Sequence, residues 1–411
     1  MEDAQTNPIL DERSAAMANF LVELGIALHA YGTPTHRIEE ALTEVAHKHH
    51  LRAQFLVTPT SLQASFGRGR HRVHYLERID AGEVDLQKLT RLHELLQSAY
   101  GGEIDPEAAL DQVEKIRSAG PGYSRPVLAI GFSLASASAA RVFSGGPAEI
   151  GVSAVAGLIV GVLFIYGLQV QRLSRMIVSL VSFVCAVLIG LMANEVEVVR
   201  SICIVASLIV LLPGMMLTSA MQELALGHLV SGTARMTGAI LTLMQMGLGV
   251  ALGTRLVDAL SSPIAVESPA TMPTWTTPVA IIFVALSCTV LYGGRLRDFL
   301  TVLPMSYIAY FASRYGQIWL GPEVGAAIGA LLLGISANSV SRWLDQPTAI
   351  AIIPALLLLV PGSLGFRSLQ SLMDQDITTG IAAGFSTFMI AIAIVSGLLV
   401  ANMLVVSRRL L

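Results

Sequence analysis

Two patterns of apolar and polar positions divide this chain near Pro126. Before it, Met17, Phe20, Leu21, Leu24 and Leu28 recur at the spacing of one helix face, and Gly32 and Pro34 punctuate a stop and a restart. A second helix is predicted from about Pro34, with Thr33 as its N-cap and Pro34 in the first turn. Three short segments, Ala53 to Thr58, Ser61 to Gly67 and Arg72 to Arg78, read as strands, the last two joined by a turn over Gly67 to Gly69. Asp85 to Tyr100 and Pro106 to Ser118 read as amphipathic helices. Residues 1–120 are therefore expected to form a small soluble α+β domain, and 121–125, which overlap the Gly-Pro-Gly segment Gly120 to Gly122, a linker.

After the linker the alternation disappears and long apolar runs begin. A bilayer core of roughly 30 Å needs about 20 mostly apolar residues per helix. Ten segments approach that length, near 126–144, 149–168, 174–193, 198–217, 233–253, 276–293, 299–315, 321–339, 347–365 and 378–405. The expected fold is an α-helical polytopic membrane protein: a first five-helix module over 126–255, an extracytoplasmic loop over 256–275, and a second five-helix module over 276–411.

Composition supports that division. Residues 1–125 hold 31 of the 55 Asp, Glu, Lys and Arg residues, all three lysines and eight of the nine histidines, His228 being the exception. Lipid excludes such groups. Cys185, Cys203 and Cys288 lie inside apolar runs without framework spacing, so no disulfide is inferred. The N-terminal residues are acidic and lack the basic and apolar regions of a signal peptide, which places the soluble domain in the cytoplasm. Ten spans return the C-terminus to the same side, in keeping with Arg408 and Arg409. The soluble part carries a net charge of −5, which argues against nucleic acid as a partner.

A shift of 148 residues brings the two membrane modules into register without a gap. It places Gly145-Gly146 on Gly293-Gly294, Pro213-Gly214 on Pro361-Gly362, Gln222 on Gln370, Leu224 on Leu372, Gly232 on Gly380 and Ala234 on Ala382. Five helices per unit is an odd number, so the second unit must cross in the opposite sense; this is an inverted repeat, an architecture of secondary transporters. Proline removes a donor and glycine tolerates unusual φ, so each Pro-Gly is expected to interrupt its helix. Unwound backbone at membrane depth must be buried or line a cavity. Pro213, Gly214, Pro361 and Gly362 thus mark the expected pathway.

Polar residues follow each break. Thr218, Ser219, Gln222, Glu223, His228, Ser231, Thr233 and Arg235 come after the first, and Ser363, Arg367, Gln370, Asp374 and Asp376 after the second. A zwitterionic substrate needs an acceptor such as Glu223 for its ammonium and a donor such as Arg235 or a helix N-terminus for its carboxylate. Glu223 or His228 is a candidate carrier of a coupling proton. The alternative is that these residues form a solvated cytoplasmic loop. Arg342 and Asp345, and Arg295, Arg297 and Asp298, read as topology anchors.

The sequence resembles the threonine/serine exporter family. The resemblance rests on Gly32-Thr33-Pro34-Thr35-His36-Arg37-Ile38-Glu39, Phe55 to Phe66, Leu212-Pro213-Gly214, Gln222-Glu223-Leu224, Ser231-Gly232-Thr233-Ala234-Arg235 and Arg342 through Gly362, and it covers nearly the whole chain. It implies a multi-pass exporter of the prokaryotic cytoplasmic membrane, with both termini inside, drawing on the proton gradient. The implied substrates are threonine and serine, with a C4-dicarboxylate such as succinate as the alternative because some relatives are associated with that class.

No catalytic or metal role is expected. The chain has no Gly-x-Ser-x-Gly elbow and no phosphate-binding Gly-x-x-x-x-Gly-Lys-Ser/Thr loop. His47, His49 and His50, with His71 and His74, lack cysteines or a clear carboxylate partner and read as a solvated helix end. No cofactor is called for beyond the proton gradient; the expected partners are the small-molecule substrate, the bilayer and, as an open possibility, further copies of the chain.

Overall fold

The computed structural model describes residues 11–405 except 70, 80, 81, 83, 262, 263, 265, 267, 345, 360, 361, 374 and 375. The first part of the chain runs α1 (Glu12–Ala30), α2 (Thr35–Lys48), β1 (Ala53–Thr58), β2 (Ser61–Arg68), β3 (His71–Arg78), α3 (Leu86–Gly101) and α4 (Pro106–Ser118). The strands form an antiparallel meander in the order β1-β2-β3, with Val57 opposite Leu62 and Phe66 opposite Val73. One face of β2 presents Leu62, Ala64 and Phe66 to a core completed by Phe20, Leu24, Leu28, Ile38, Leu42, Leu92 and Leu96. The period-2 pattern of β2 and the helical pattern of α1 therefore bury a common face.

Two local expectations are corrected. Strand β2 continues through Gly67 to Arg68, so the turn to β3 lies later than Gly67, at Gly69 with φ +58°. The N-cap of α2 is Pro34 rather than Thr33, and no side chain of the soluble domain caps this end. Thr33 is turned into the protein, with its hydroxyl buried. The anion that answers the α2 N-terminus comes from the membrane part.

That part runs α5 (Arg125–Val142), α6 (Pro147–Gly167), the short α7 (Gln171–Ser174), α8 (Ile177–Met192), α9 (Arg200–Ser207), α10 (Gly214–Ala225) and α11 (Leu229–Leu260). It continues through α12 (Thr276–Leu291), α13 (Phe299–Leu320), α14 (Pro322–Leu344), α15 (Thr348–Leu359), α16 (Gly362–Met373) and α17 (Ile377–Leu404). Among the described residues, Pro147–Gly167, Leu229–Leu260, Pro322–Leu344, Thr348–Ser371 and Ile377–Leu404 are long and apolar enough to cross a membrane. Ile177–Met192 and Thr276–Leu291 are apolar but shorter. On α11, Leu241, Met244, Leu248 and Leu252 point outward at helical spacing, an apolar stripe that lipid rather than water would solvate. The chain is a mostly helical polytopic membrane protein.

The run expected as one helix over 198–217 is two. Helix α9 ends at Ser207, residues 208–213 form hydrogen-bonded turns, and α10 restarts at Gly214 after Pro213. Of the run expected over 347–365, Thr348–Leu359 and the residues from Gly362 onward are helical; Pro361 lies outside the described residues, as do Asp345, Asp374, Arg408 and Arg409.

The 148-residue offset reappears in the element bounds. It carries the start of α11 at Leu229 onto the start of α17 at Ile377. It appears in packing too. A Cβ on Gly249 would run into the Ser179 carbonyl, and one on Gly397 into the Ala327 carbonyl, and these two pairs are equivalent under the same offset. Each glycine lets two membrane helices, α8 with α11 and α14 with α17, bring their backbones together.

Candidate functional site

The polar residues after the first break stand on two helices rather than in a loop. Thr218, Ser219, Gln222 and Glu223 lie on α10, and Ser231, Thr233 and Arg235 on α11. Gly227, at φ +85°, makes the tight reversal between the helices. The His228 N–H closes that reversal on the Glu223 carbonyl at 2.8 Å. This hairpin sets Glu223 and Arg235 side by side: Arg235 Nε donates to both Glu223 oxygens at 3.1 Å.

Glu223 is fully buried, and its remaining partners belong to the soluble domain. Thr35 donates to Oε1 twice, through its backbone N–H at 3.2 Å and its hydroxyl at 2.8 Å. Thr35 is the first residue of α2, where helical N–H groups have no partner within the helix and the dipole favours negative charge. A carboxylate of the membrane part thus caps a helix of the soluble part. Removing a charge from water costs several kcal/mol, which is tolerated only when the charge is paired and fully hydrogen-bonded, as here.

A second set of contacts reinforces the first. His228 Nδ1 lies 3.6 Å from Glu39 Oε2, and Glu39 Oε1 accepts from Val57 N–H at 2.7 Å. Ser231 donates to the Val57 carbonyl at 3.0 Å. Strand β1 is an edge strand, and these bonds satisfy backbone groups it would otherwise leave open. The rings of His36 and His228 are 5.9 Å apart.

Charge and burial shift the soluble-domain groups here. Burial first, and Arg235 second, lower the pKa of His29 to about 4. Burial, then Arg37, His228 and Arg235, lower that of His36 to about 3. Burial pushes the Glu39 carboxyl up, against the pull of the Val57 N–H and His228.

Next to this cluster a cavity of ≈ 120 Å³ opens where three parts of the chain meet. The soluble domain contributes Thr33 and Arg37, α10 contributes Thr218, Ser219 and Gln222, and α15 and α17 contribute Thr348 and Asn402. Thr233 is not among its walls; its hydroxyl returns to the Leu229 carbonyl at 2.7 Å. Arg367 is elsewhere, on α16, with its guanidinium 5.5 Å from the Phe143 ring just beyond α5. Gln370 is also on α16. At the two Pro-Gly steps, a Cβ on Gly362 would lie 3.3 Å from Gly214 Cα, so these two buried glycines meet backbone to backbone. Sequence reasoning missed Thr35, Arg37 and Glu39 as site residues, although they sit inside the Gly32–Glu39 segment that carries the resemblance.

Comparison with known proteins identifies the family. A family model described as threonine/serine exporter matches residues 19–257, from α1 into α11. The chain belongs to the threonine/serine exporter family. A second model of the same description matches residues 302–404 of the second module. The exporter-family chain is 26% identical to "Pheromone-regulated membrane protein 10" of Pichia sorbitophila, over 85% of this chain and 36% of that one. It is 26% identical to the protein of that name from Eremothecium gossypii, over 88% and 52%, and 24% identical to that from Candida albicans, over 85% and 33%. The chain spans about a third to a half of the length of these yeast relatives. Their printed names state membrane proteins and nothing of substrate. No solved structure matches the chain.

Proposed function

We propose that the chain is a secondary transporter that exports threonine, serine or similar small amino acids across a cytoplasmic membrane by proton antiport, with both termini in the cytoplasm. Its two modules, 126–255 and 276–411, are read as five-span units of an inverted repeat that alternate access around the broken helices. The observation that carries this reading is the contact of Gly214 with Gly362. Equivalent glycines of the two Pro-Gly steps meet in a buried place, as a pair of units moving about a shared centre would have them do. The N-terminus of α10 there also favours a carboxylate.

The coupling proton is assigned to the Glu223–Arg235 and Glu39–His228 pairs. Both link the soluble domain to α10 and α11, so a change of protonation there alters domain docking and transport together. A dicarboxylate substrate is the second reading, favoured by the absence of any carboxylate from the described lining of the ≈ 120 Å³ cavity. The deciding experiment is efflux of labelled threonine from proteoliposomes with and without an imposed pH gradient, with succinate in parallel. Gradient-stimulated threonine flux is expected; succinate flux alone would replace the leading reading with the second.

A further inference from the structure

The ≈ 120 Å³ cavity is lined by a cation, Arg37, that no acceptor among the described residues hydrogen-bonds. Arg37, on α2, lines it and forms no hydrogen bond or salt bridge among the described residues. Burial lowers its pKa from the ordinary arginine value, and Glu40 only partly opposes this. The guanidinium is therefore partly dehydrated without full compensation. A second group points into the same space: Thr33 is 6% exposed, lines the cavity, and has a hydroxyl without a hydrogen-bond partner among the described residues.

The opposite walls are largely apolar, with Met215, Ile352, Ile353, Leu356 and Leu398, and carry a few neutral polar groups. Ser219 and Gln222 come from the first membrane module, and Asn402, whose Oδ1 accepts from Asn338 at 2.9 Å, from the second. At roughly 10–15 Å³ per water-sized group, the space suits a ligand of on the order of ten non-hydrogen atoms. A guanidinium with free donors binds a carboxylate through two parallel hydrogen bonds. Side-chain oxygens of Ser219 and Gln222 are available to accept from an ammonium or hydroxyl on the same ligand.

We propose that Arg37 is the carboxylate receptor of a small-ligand site in this cavity, so that the soluble domain supplies part of the solute site. The proposal rests on the transport reading and names the group that selects for a carboxylate. It also gives the Glu223 contact a purpose: Thr35, which Glu223 holds, is two residues from Arg37, so the capping bonds fix where the guanidinium stands.

The test uses the full chain with Ser219→Cys, because position 219 lines the cavity and is partly accessible whereas the three native cysteines are buried. The rate of maleimide labelling is measured with threonine, succinate or threoninamide present at millimolar concentration. Threonine or succinate is expected to slow labelling about fivefold or more and threoninamide, which lacks the carboxylate, to leave it unchanged. Arg37→Gln should abolish the protection and Arg37→Lys should weaken it, with unliganded labelling and elution on gel filtration as checks of folding. Should Arg37→Gln not fold, Arg37→Lys decides: unaltered protection overturns the proposal. Protection that survives Arg37→Gln, equal protection by threoninamide, or no protection by either acid would also overturn it. A wild-type protein that moves no threonine in liposomes defeats the transport reading alone, since the labelling result judges Arg37 independently of flux.

Discussion

The helix pairs that follow the two Pro-Gly steps share a frame and carry different loads. Helices α11 and α17 start 148 residues apart, Gln222 matches Gln370, and Gly232 matches Gly380. The residues that hold the soluble domain are not shared. Glu223, His228, Ser231 and Arg235 correspond to Ser371, Asp376, Thr379 and Ala383. Asp376 caps its own helix, its Oδ1 accepting from Thr379 N–H at 3.2 Å, where Glu223 caps a helix of another domain. The lesson is that the 148-residue offset recurs in helix positions and helix contacts, while a few polar residues present after the first Pro-Gly step and missing after the second decide where the buried ion pair that holds the N-terminal domain is placed.

The sharpest way to break the comparison is Glu223→Ala. It strands the Thr35 donors and the partly buried Arg235, and a loss of about 2–4 kcal/mol in the docked arrangement is expected, somewhat below that for breaking a fully buried pair. Limited proteolysis between α4 and α5 reads it out: cleavage should accelerate strongly. Glu223→Gln keeps the shape but not the charge; it should abolish gradient-driven flux in proteoliposomes while the protein stays folded. Normal flux would remove Glu223 from the coupling assignment.

The shared frame is tested next by Gly362→Ala. Its methyl meets the Gly214 backbone, so a penalty of about 1–3 kcal/mol is expected, falling on transport more than on membrane insertion. Unchanged flux in a correctly inserted variant would count against motion about this contact. Smaller effects separate the two hairpins. Ser231→Ala removes one bond to Val57 and should weaken docking by about 0.5–1.5 kcal/mol. The equivalent of Glu223 is Ser371, and Ser371→Ala should change docking by less than about 0.5 kcal/mol.

Acid provides a graded version of the same test. His29 and His36 have depressed pKa values when docked, and Arg235 of α11 contributes to both shifts. At pH above 6.5 the histidines are neutral in the folded and the unfolded chain alike and stability is unaffected. As pH falls below 6.5 the unfolded chain binds protons that the folded one refuses, so the folded, docked arrangement weakens until pH reaches about 4 for His29 and about 3 for His36. The slope is at most about tenfold per pH unit for each histidine. Proteolysis of the docked protein against pH should reveal it, and Arg235→Gln should make it shallower.

Much of the fold was legible in the sequence because single-chain periodicity reports local burial. The bounds of β1 and of α4 are the ones the pattern predicts, and the 148-residue register reappears in the helix starts. Glu223, His228, Ser231 and Arg235 were also singled out, since charged and polar groups stand out in apolar surroundings. What the pattern did not contain is the partner of each. Thr33 looked like the α2 cap because capping is normally local, whereas the capping carboxylate is 188 residues away from Thr35. Arg37 and Glu39 were unremarkable in a polar helix; only the docking of α2 on α10 gives them a cavity and a histidine to face.

The central claim, that a carboxylate of the membrane part caps α2 of the soluble domain, is tested most directly by hydrogen exchange at the Thr35 amide in the full-length protein. The first N–H groups of a helix are ordinarily unprotected. Slow exchange at Thr35 in the wild type, with a large acceleration in Glu223→Ala and little change at the core residues Leu24 and Leu42, is the result this structure requires. Exchange at Thr35 that is fast in the wild type, or identical in the two proteins, would contradict it.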